Sequence, residues 1–212
     1  MINTKNFTKK LVKTTTLTAF VACSLGAGIA NASIISFSSL SGNNFDSFTG
    51  TTEGNFTVTP TEGDWFEGQV FGNPTPSIFT IPISQLTTSS INVTENTNKL
   101  FTFASVDLTS NAARGGEFSI QGFLNSQLVL STTGTIDLNN SFTTILSTDS
   151  QQILDSLQII LTPALEVSSL NVDNINVTTA VPEPSNSGLL FGLGILSTLA
   201  LRRKKLANTV KA

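Results

Sequence analysis

An apolar run near the C-terminus constrains this chain most. Residues 188–201 hold Gly, Leu, Phe, Ile and Ala with only Ser197 and Thr198 as polar members, and Arg202, Arg203, Lys204 and Lys205 close the run. As a helix, the run spans about 21 Å, short of the ~30 Å hydrocarbon core of a bilayer. The basic cluster keeps its end on the cytoplasmic side. Val181, Pro182, Glu183 and Pro184 come just before it. The two prolines hold that stretch extended and exposed, as a recognition sequence requires. A break, a marginal span and a cationic stop suit transient membrane insertion followed by processing. An ordinary C-terminal anchor with a proline-containing linker is the alternative. In either case the globular part lies upstream.

The three elements in this order resemble the PEP-CTERM sorting signal over residues 181–205. The resemblance implies an exosortase, a membrane protease-transpeptidase, as processing partner. Residues 206–212 form an extension beyond the usual end of such signals.

The N-terminus completes the address. Lys5, Lys9, Lys10 and Lys13 precede an apolar stretch at 17–29, followed by Ala30, Asn31 and Ala32. This small-x-small pattern is read by signal peptidase, and the mature chain is predicted to begin at Ser33. Phe20-Val21-Ala22-Cys23 offers a rival reading as a lipidation site, although Phe20 stands where leucine is usual. The expected organisation is a signal peptide at 1–32, an ectodomain at 33–180, the sorting signal at 181–205 and a tail at 206–212.

Without its ends the chain has a different charge. Thirteen acidic residues lie between Ser33 and Ala180 against Lys99 and Arg114 alone, a net charge of −11, compared with −3 for the whole chain. Such a surface repels nucleic acid, whose binding depends on basic contacts to phosphate, and favours divalent cations such as calcium. The chain contains no His, and its one Cys lies in the signal peptide. Imidazole or thiolate zinc sites, His-based triads, Cys nucleophiles and disulfides are therefore excluded from the ectodomain. About 148 residues suffice for one core.

That core is predicted to be all-β. Short apolar runs separated by turn formers favour a sandwich or barrel. The candidate strands are 34–39, 55–59, 65–70, 77–81, 90–94, 100–108, 117–124, 127–131, 142–146, 154–161 and 165–177. Residues 100–108 are apolar on both parities, which predicts a central strand covered on both faces. Asn125-Ser126 is a hairpin turn candidate, and 111–116 reads as a surface loop. In the last strand, Leu170 and Val172 share one parity and Ile175 and Val177 the other, so a bulge is predicted near Asp173-Asn174. The string Val172-Asp173-Asn174-Ile175-Asn176-Val177 resembles the closing strand of jelly-roll domains of the galactose-binding and carbohydrate-binding-module type. Trp65, Gly72-Asn73-Pro74, Pro76-Ser77-Ile78 and the 101–108 stretch resemble ectodomains attached to PEP-CTERM tails. The expected fold is a single jelly-roll-like antiparallel β-sandwich, flanked by the signal peptide and the C-terminal hydrophobic helix.

Candidate ligand residues follow from side-chain chemistry. Trp65, the only tryptophan, sits among Asp64, Glu67, Gly63 and Gly68. Exposed, it would stack on a sugar ring beside carboxylate acceptors; buried, it would be a core residue. Glu62, Asp64 and Glu67 also match the spaced carboxylates of laminarinase-like glycoside hydrolases. On a strand, however, Glu62 and Asp64 face away from Glu67. Asp173 would cap the bulge or, with Asp46, bind calcium. The expected function is that of a non-catalytic envelope or matrix protein, with extracellular polysaccharide as partner. A glycan-acting enzyme built on carboxylates is the alternative, and a self-assembling scaffold the third reading.

Overall fold

The computed structural model describes residues 31–81, 88–112, 115–137, 140–164 and 169–180. Residues 1–30 of the predicted signal peptide, the sorting motif, the apolar run and the basic stop lie outside the described residues, and the predicted Ala32–Ser33 junction lies within them.

The described part is all-β, with thirteen strands and no helix. They are β1 (Ala32–Ile35), β2 (Thr51–Glu53), β3 (Phe56–Glu62), β4 (Trp65–Gly68), β5 (Ser77–Thr80), β6 (Ser89–Glu95), β7 (Phe101–Ala112), β8 (Gly116–Leu124), β9 (Gln127–Ile136), β10 (Thr143–Leu146), β11 (Ile153–Leu154), β12 (Ser156–Pro163) and β13 (Ser169–Thr179). One sheet runs β10-β7-β13-β5-β4, with β1 beside β13 and β11 beside β7; the other runs β2-β3-β6-β12-β8-β9. All of the strand pairs are antiparallel. The two sheets form a jelly-roll-like β-sandwich, as the sequence predicts.

Alternation builds the core. Phe56 and Val58 of β3, Ile91 and Val93 of β6, and Leu157, Ile159 and Leu161 of β12 are buried, whereas the residues between them are more exposed. Strand residues two apart share a face, so these side chains meet Phe101, Phe103, Val106 and Leu108 of the facing sheet. Phe56 and Phe101 join the layers edge to face, with ring centroids 5.4 Å apart, a favoured aromatic geometry.

The predicted bulge is present. Asp173 faces Asp107 and Asn176 faces Ser105, so Asn174 and Ile175 together oppose Val106. Asn174 takes φ 45°, a conformation Asn tolerates better than most residues. The extra residue flips the parity, and Leu170, Val172, Ile175 and Val177 all reach the core. The neighbour of β13 changes at the same place, from β5 at Leu170–Val172 to β1 at Ile175–Thr178. The hairpin also forms: Leu124 pairs with Gln127 around Asn125 and Ser126, at φ 52° and 64°, as a two-residue type I′ turn requires.

Several extents differ from expectation: β1 covers Ala32–Ile35 rather than 34–39, and β4 ends at Gly68 rather than 70. β7 continues to Ala112, into the stretch read as loop, and β9 continues to Ile136. β2, Thr51–Glu53, was not foreseen. Thr, Ser and Asn fill these extensions. Thr, the commonest of them, forms strands as readily as apolar residues do, but none of the three leaves a hydrophobic pattern.

Candidate functional site

Trp65 does not form a binding platform. It is 3% exposed within the core, and its Nε1 donates to the Glu62 carbonyl at 3.1 Å. The ring opens β4 on the inward parity, so neither of its faces can meet a ligand. Asp64 beside it is exposed. Glu67 points elsewhere: its Oε2 accepts from the Gly42 N–H at 3.0 Å and from Gln69 Nε2 at 2.8 Å.

Glu67 and Asp46 are brought together around one loop. Asp46 Oδ2 accepts from the Asn43 N–H at 2.6 Å and from Asn43 Nδ2 at 3.2 Å. A Cβ on Gly42 would lie 2.6 Å from Glu67 Oε2 and 3.0 Å from Asp46 Oδ2, so both carboxylates close on Gly42. Phe45 N–H bonds the Glu67 carbonyl at 3.0 Å, and Asn44 Oδ1 accepts from the Gln69 N–H at 3.0 Å. The two acidic residues thus hold the 42–46 loop against β4.

That loop presents Phe45. It stands at φ 73° and is 59% exposed. A bulky residue at positive φ is a conformational outlier, and such strain concentrates at functional positions. Its ring meets Phe79 edge to face at 5.1 Å and lies 6.4 Å from Phe66, itself 5.6 Å from Phe79. Strand register explains the group: Phe66 pairs with Phe79, Phe79 with Asn171, and Asn171 with Thr109. This row crosses the outer face of the sheet, running from aromatic rings to amides. Asn171 Nδ2 donates to Asn111 Oδ1 at 3.2 Å.

A cleft of about 270 Å³ opens over this row. It is lined by Phe45, Phe71 and Phe79, by Asn44, Asn111 and Asn171, and by Gly68, Val70, Ile81 and Ser169, none of them charged. Phe71 is fixed from behind by a stacked contact with Phe142, with centroids 5.4 Å apart. Rings beside amide donors and acceptors suit a ligand with apolar C–H faces and a rim of hydroxyls. The sequence reading missed these residues. The signal available was Phe45, a lone aromatic between Asn43-Asn44 and Asp46 in a run of turn formers.

Asp173 has partners other than Asp46. Its Oδ2 accepts from the Asn73 N–H at 2.6 Å and its Oδ1 from the Asn174 N–H at 2.8 Å. Across the sheet it faces Asp107. Carboxylate oxygens turned to N–H donors do not fit a cation, and among the described residues no group of three or more metal-ligating side chains converges. Asp173 and Asp46 thus have separate hydrogen-bond partners. Asp173 closes the bulge, as the other sequence reading has it.

The C-terminal motif gives the address. The PEP-CTERM protein-sorting motif matches residues 180–204. The chain carries a PEP-CTERM sorting signal. The signal implies export, processing by an exosortase and delivery to the cell envelope or surface. No curated protein matches the sequence. Among solved structures the fold is similar to a family 29 carbohydrate-binding module from Piromyces equi, at 14% identity and TM-score 0.43 over 71% of this chain and 91% of that one. It is also similar to the family 32 module of NanJ from C. perfringens, solved with galactose, at 21% identity and TM-score 0.40 over 56% of this chain and 93% of that one.

Proposed function

We propose that this PEP-CTERM protein is a non-catalytic polysaccharide-binding component of the bacterial envelope or extracellular matrix, and that its ligand is a neutral glycan held in the Phe45 cleft. One observation carries this reading. Phe45 is held out at a strained φ by a braced loop, over a floor of Phe79 and Asn171. A pyranose stacks its C–H face on such a ring, and the half-buried amides of Asn44 and Asn111 satisfy its hydroxyls. The uncharged lining and the −11 ectodomain disfavour uronate or sulfated chains.

The non-catalytic part of the reading is supported by where the carboxylates go. Glu67 is committed to Gly42 and Gln69, while Asp107 and Asp173 are buried beneath Asn73. A glycosidase needs two carboxyls flanking an open scissile bond. The test is retention of the exported protein on a panel of neutral and anionic polysaccharides. Retention by neutral chains, competed by their soluble oligosaccharides, is the expected result. Failure to bind any glycan of the panel would remove the proposal.

A further inference from the structure

The edges of the two sheets are unequal. β2 has three residues, and β1, β4 and β10 have four each. The open side of β4 is partly taken by a bridge between Ser47 and Phe66. β9 is different: it runs for ten residues, Gln127–Ile136, and among the described residues its only strand partner is β8. It contains no charged residue and no proline. Edge strands are normally blunted by such residues or kept short, because unpaired N–H and C=O groups template another strand. β9 has neither protection.

The direction of its free groups can be read from one contact. Thr148 Oγ1 donates to the Ser131 carbonyl at 3.4 Å, so that carbonyl points away from β8. Pairing with β8 is regular from Ser131 to Ile136, and in an antiparallel ladder alternate residues share a direction. Thr133 and Thr135 therefore also present N–H and C=O outward. Gly134 between them is covered by the Phe118 ring, which a Cβ would meet at 2.7 Å.

We propose that β9 pairs antiparallel with β9 of a second copy about Gly134, joining two six-stranded sheets into one continuous sheet. Thr133 then faces Thr135 of the second copy, and the reverse, so the outward groups of both satisfy each other. The Thr148 contact at Ser131 is left in place, and Asp137 falls opposite a serine rather than an acid. Charge favours this edge over the rest of the surface, since two ectodomains of −11 repel everywhere except at a neutral strand. The chain's own C-terminal extension is a poor occupant, because Pro182 and Pro184 remove alternate N–H donors. The arrangement is isologous and closes as a dimer.

The test uses full-length chains carrying Cys23→Ser, with Thr133→Cys in one tagged population and Thr135→Cys in another. Directly opposed strand residues lie within the Cα separation a disulfide allows, whereas diagonal neighbours at roughly 7–8 Å do not. Mild oxidation should link the mixed populations at least tenfold more than either alone, and a Ser150→Cys control should link weakly. Cross-linking should also rise between 10 mM and 150 mM salt as repulsion is screened. A Thr133→Pro chain, which loses an outward N–H but no bond to β8, should sediment as a monomer where the unaltered chain is a dimer. No link in the mixture, equal yields at all three positions, or strongest linking by Thr133→Cys alone would overturn the proposal. Should Thr133→Pro misfold, the cysteine yields decide alone.

Discussion

Asp107 and Asp173 lie directly opposite each other across β7 and β13, and Asn73 and Asn174 each bond to both. The Asn73 N–H reaches Asp173 Oδ2 at 2.6 Å, and its Nδ2 reaches Asp107 Oδ2 at 3.2 Å. Thr144 Oγ1 donates to Asp107 Oδ1 at 2.6 Å, and Asn174 Nδ2 donates to Asp107 Oδ2 at 3.0 Å and to the Asn73 carbonyl. The segment leading from Phe71 is thereby anchored to the outer face of the sheet beside the cleft. Burial pushes the Asp173 carboxyl up to about 7, helped by the charges of Asp107 and Glu53 and opposed by the two N–H donors.

This makes stability depend on pH in an unusual direction. A carboxyl whose folded pKa is raised binds its proton more tightly in the folded state than in the unfolded one. Its stabilising contribution is fully present below pH ~4 and is lost as pH rises through about 7. The melting temperature of the exported protein should therefore fall by several degrees between pH 5 and pH 8. Asp173→Asn should flatten that slope while lowering stability overall, since one amide oxygen cannot accept both N–H donors. A melting temperature unchanged between pH 5 and pH 8 would contradict the assignment.

Glu95 gives the opposite slope. Burial alone would raise its carboxyl, but the Lys99 N–H, the Thr97 hydroxyl and N–H, and the Lys99 charge outweigh it and lower it below the usual range. Its contribution is present above the unfolded pKa and is lost as pH falls through the folded one. Glu95→Ala removes the acceptor for three donors in the β6–β7 turn. It should cost about 2–3 kcal/mol at pH 6, and less at pH 3, by chemical denaturation. Equal losses at both values would show that the packing of the side chain, not its charge, matters.

Much of this fold was legible because β-structure writes its periodicity in apolar residues. The parity conflict between Val172 and Ile175 foretold the bulge, and Asn125-Ser126 foretold the hairpin. The polar extents of β7 and β9 were illegible, since Thr and Ser pair well without an alternating signal. The site was harder. Phe45, Phe79 and Asn171 lie far apart in sequence and meet only through the β4-β5-β13 register. Trp65 drew attention by its chemistry, yet its parity on β4 decided its place. The sorting signal was fully legible because its order in the sequence is the recognised feature.

Burial of Trp65 has a direct consequence. Trp65→Ala should cost about 3–5 kcal/mol, as for other large buried aromatics, and leave little folded protein at 37 °C. The unaltered chain should emit at short wavelength, resist acrylamide quenching and ignore added sugar. Red-shifted, quenchable emission that responds to glycan would restore Trp65 to the site.

Sorting makes a chemical prediction. If an exosortase cuts after the Pro182-Glu183-Pro184 region, mass spectrometry of the mature surface protein should find the chain beginning at Ser33 and lacking residues 188–212. Pro182→Ala with Pro184→Ala should cause the uncut precursor to accumulate in the membrane fraction. An intact C-terminus on the mature protein would instead make the apolar run a permanent anchor.

Phe45 permits binding and stability to be separated. Its ring is 59% exposed and its backbone sits at φ 73°. Phe45→Gly discards the stacking face and the edge contact with Phe79, but also relieves the left-handed strain, worth roughly 1–2 kcal/mol for a residue with a Cβ. The two effects on folding nearly offset, so the melting temperature should move by no more than a few degrees. Loss of one sugar-stacking contact, about 1–1.5 kcal/mol, should weaken retention on neutral glycan about tenfold. Asn171→Ala should destabilise, because this amide is buried beneath the cleft and bonded to Asn111, and should weaken retention only by loosening the floor. Only Phe45→Gly combines intact folding with lost binding. If its retention equals that of the unaltered protein while its melting temperature holds, the strained ring has no part in recognition and the cleft ceases to be the glycan site.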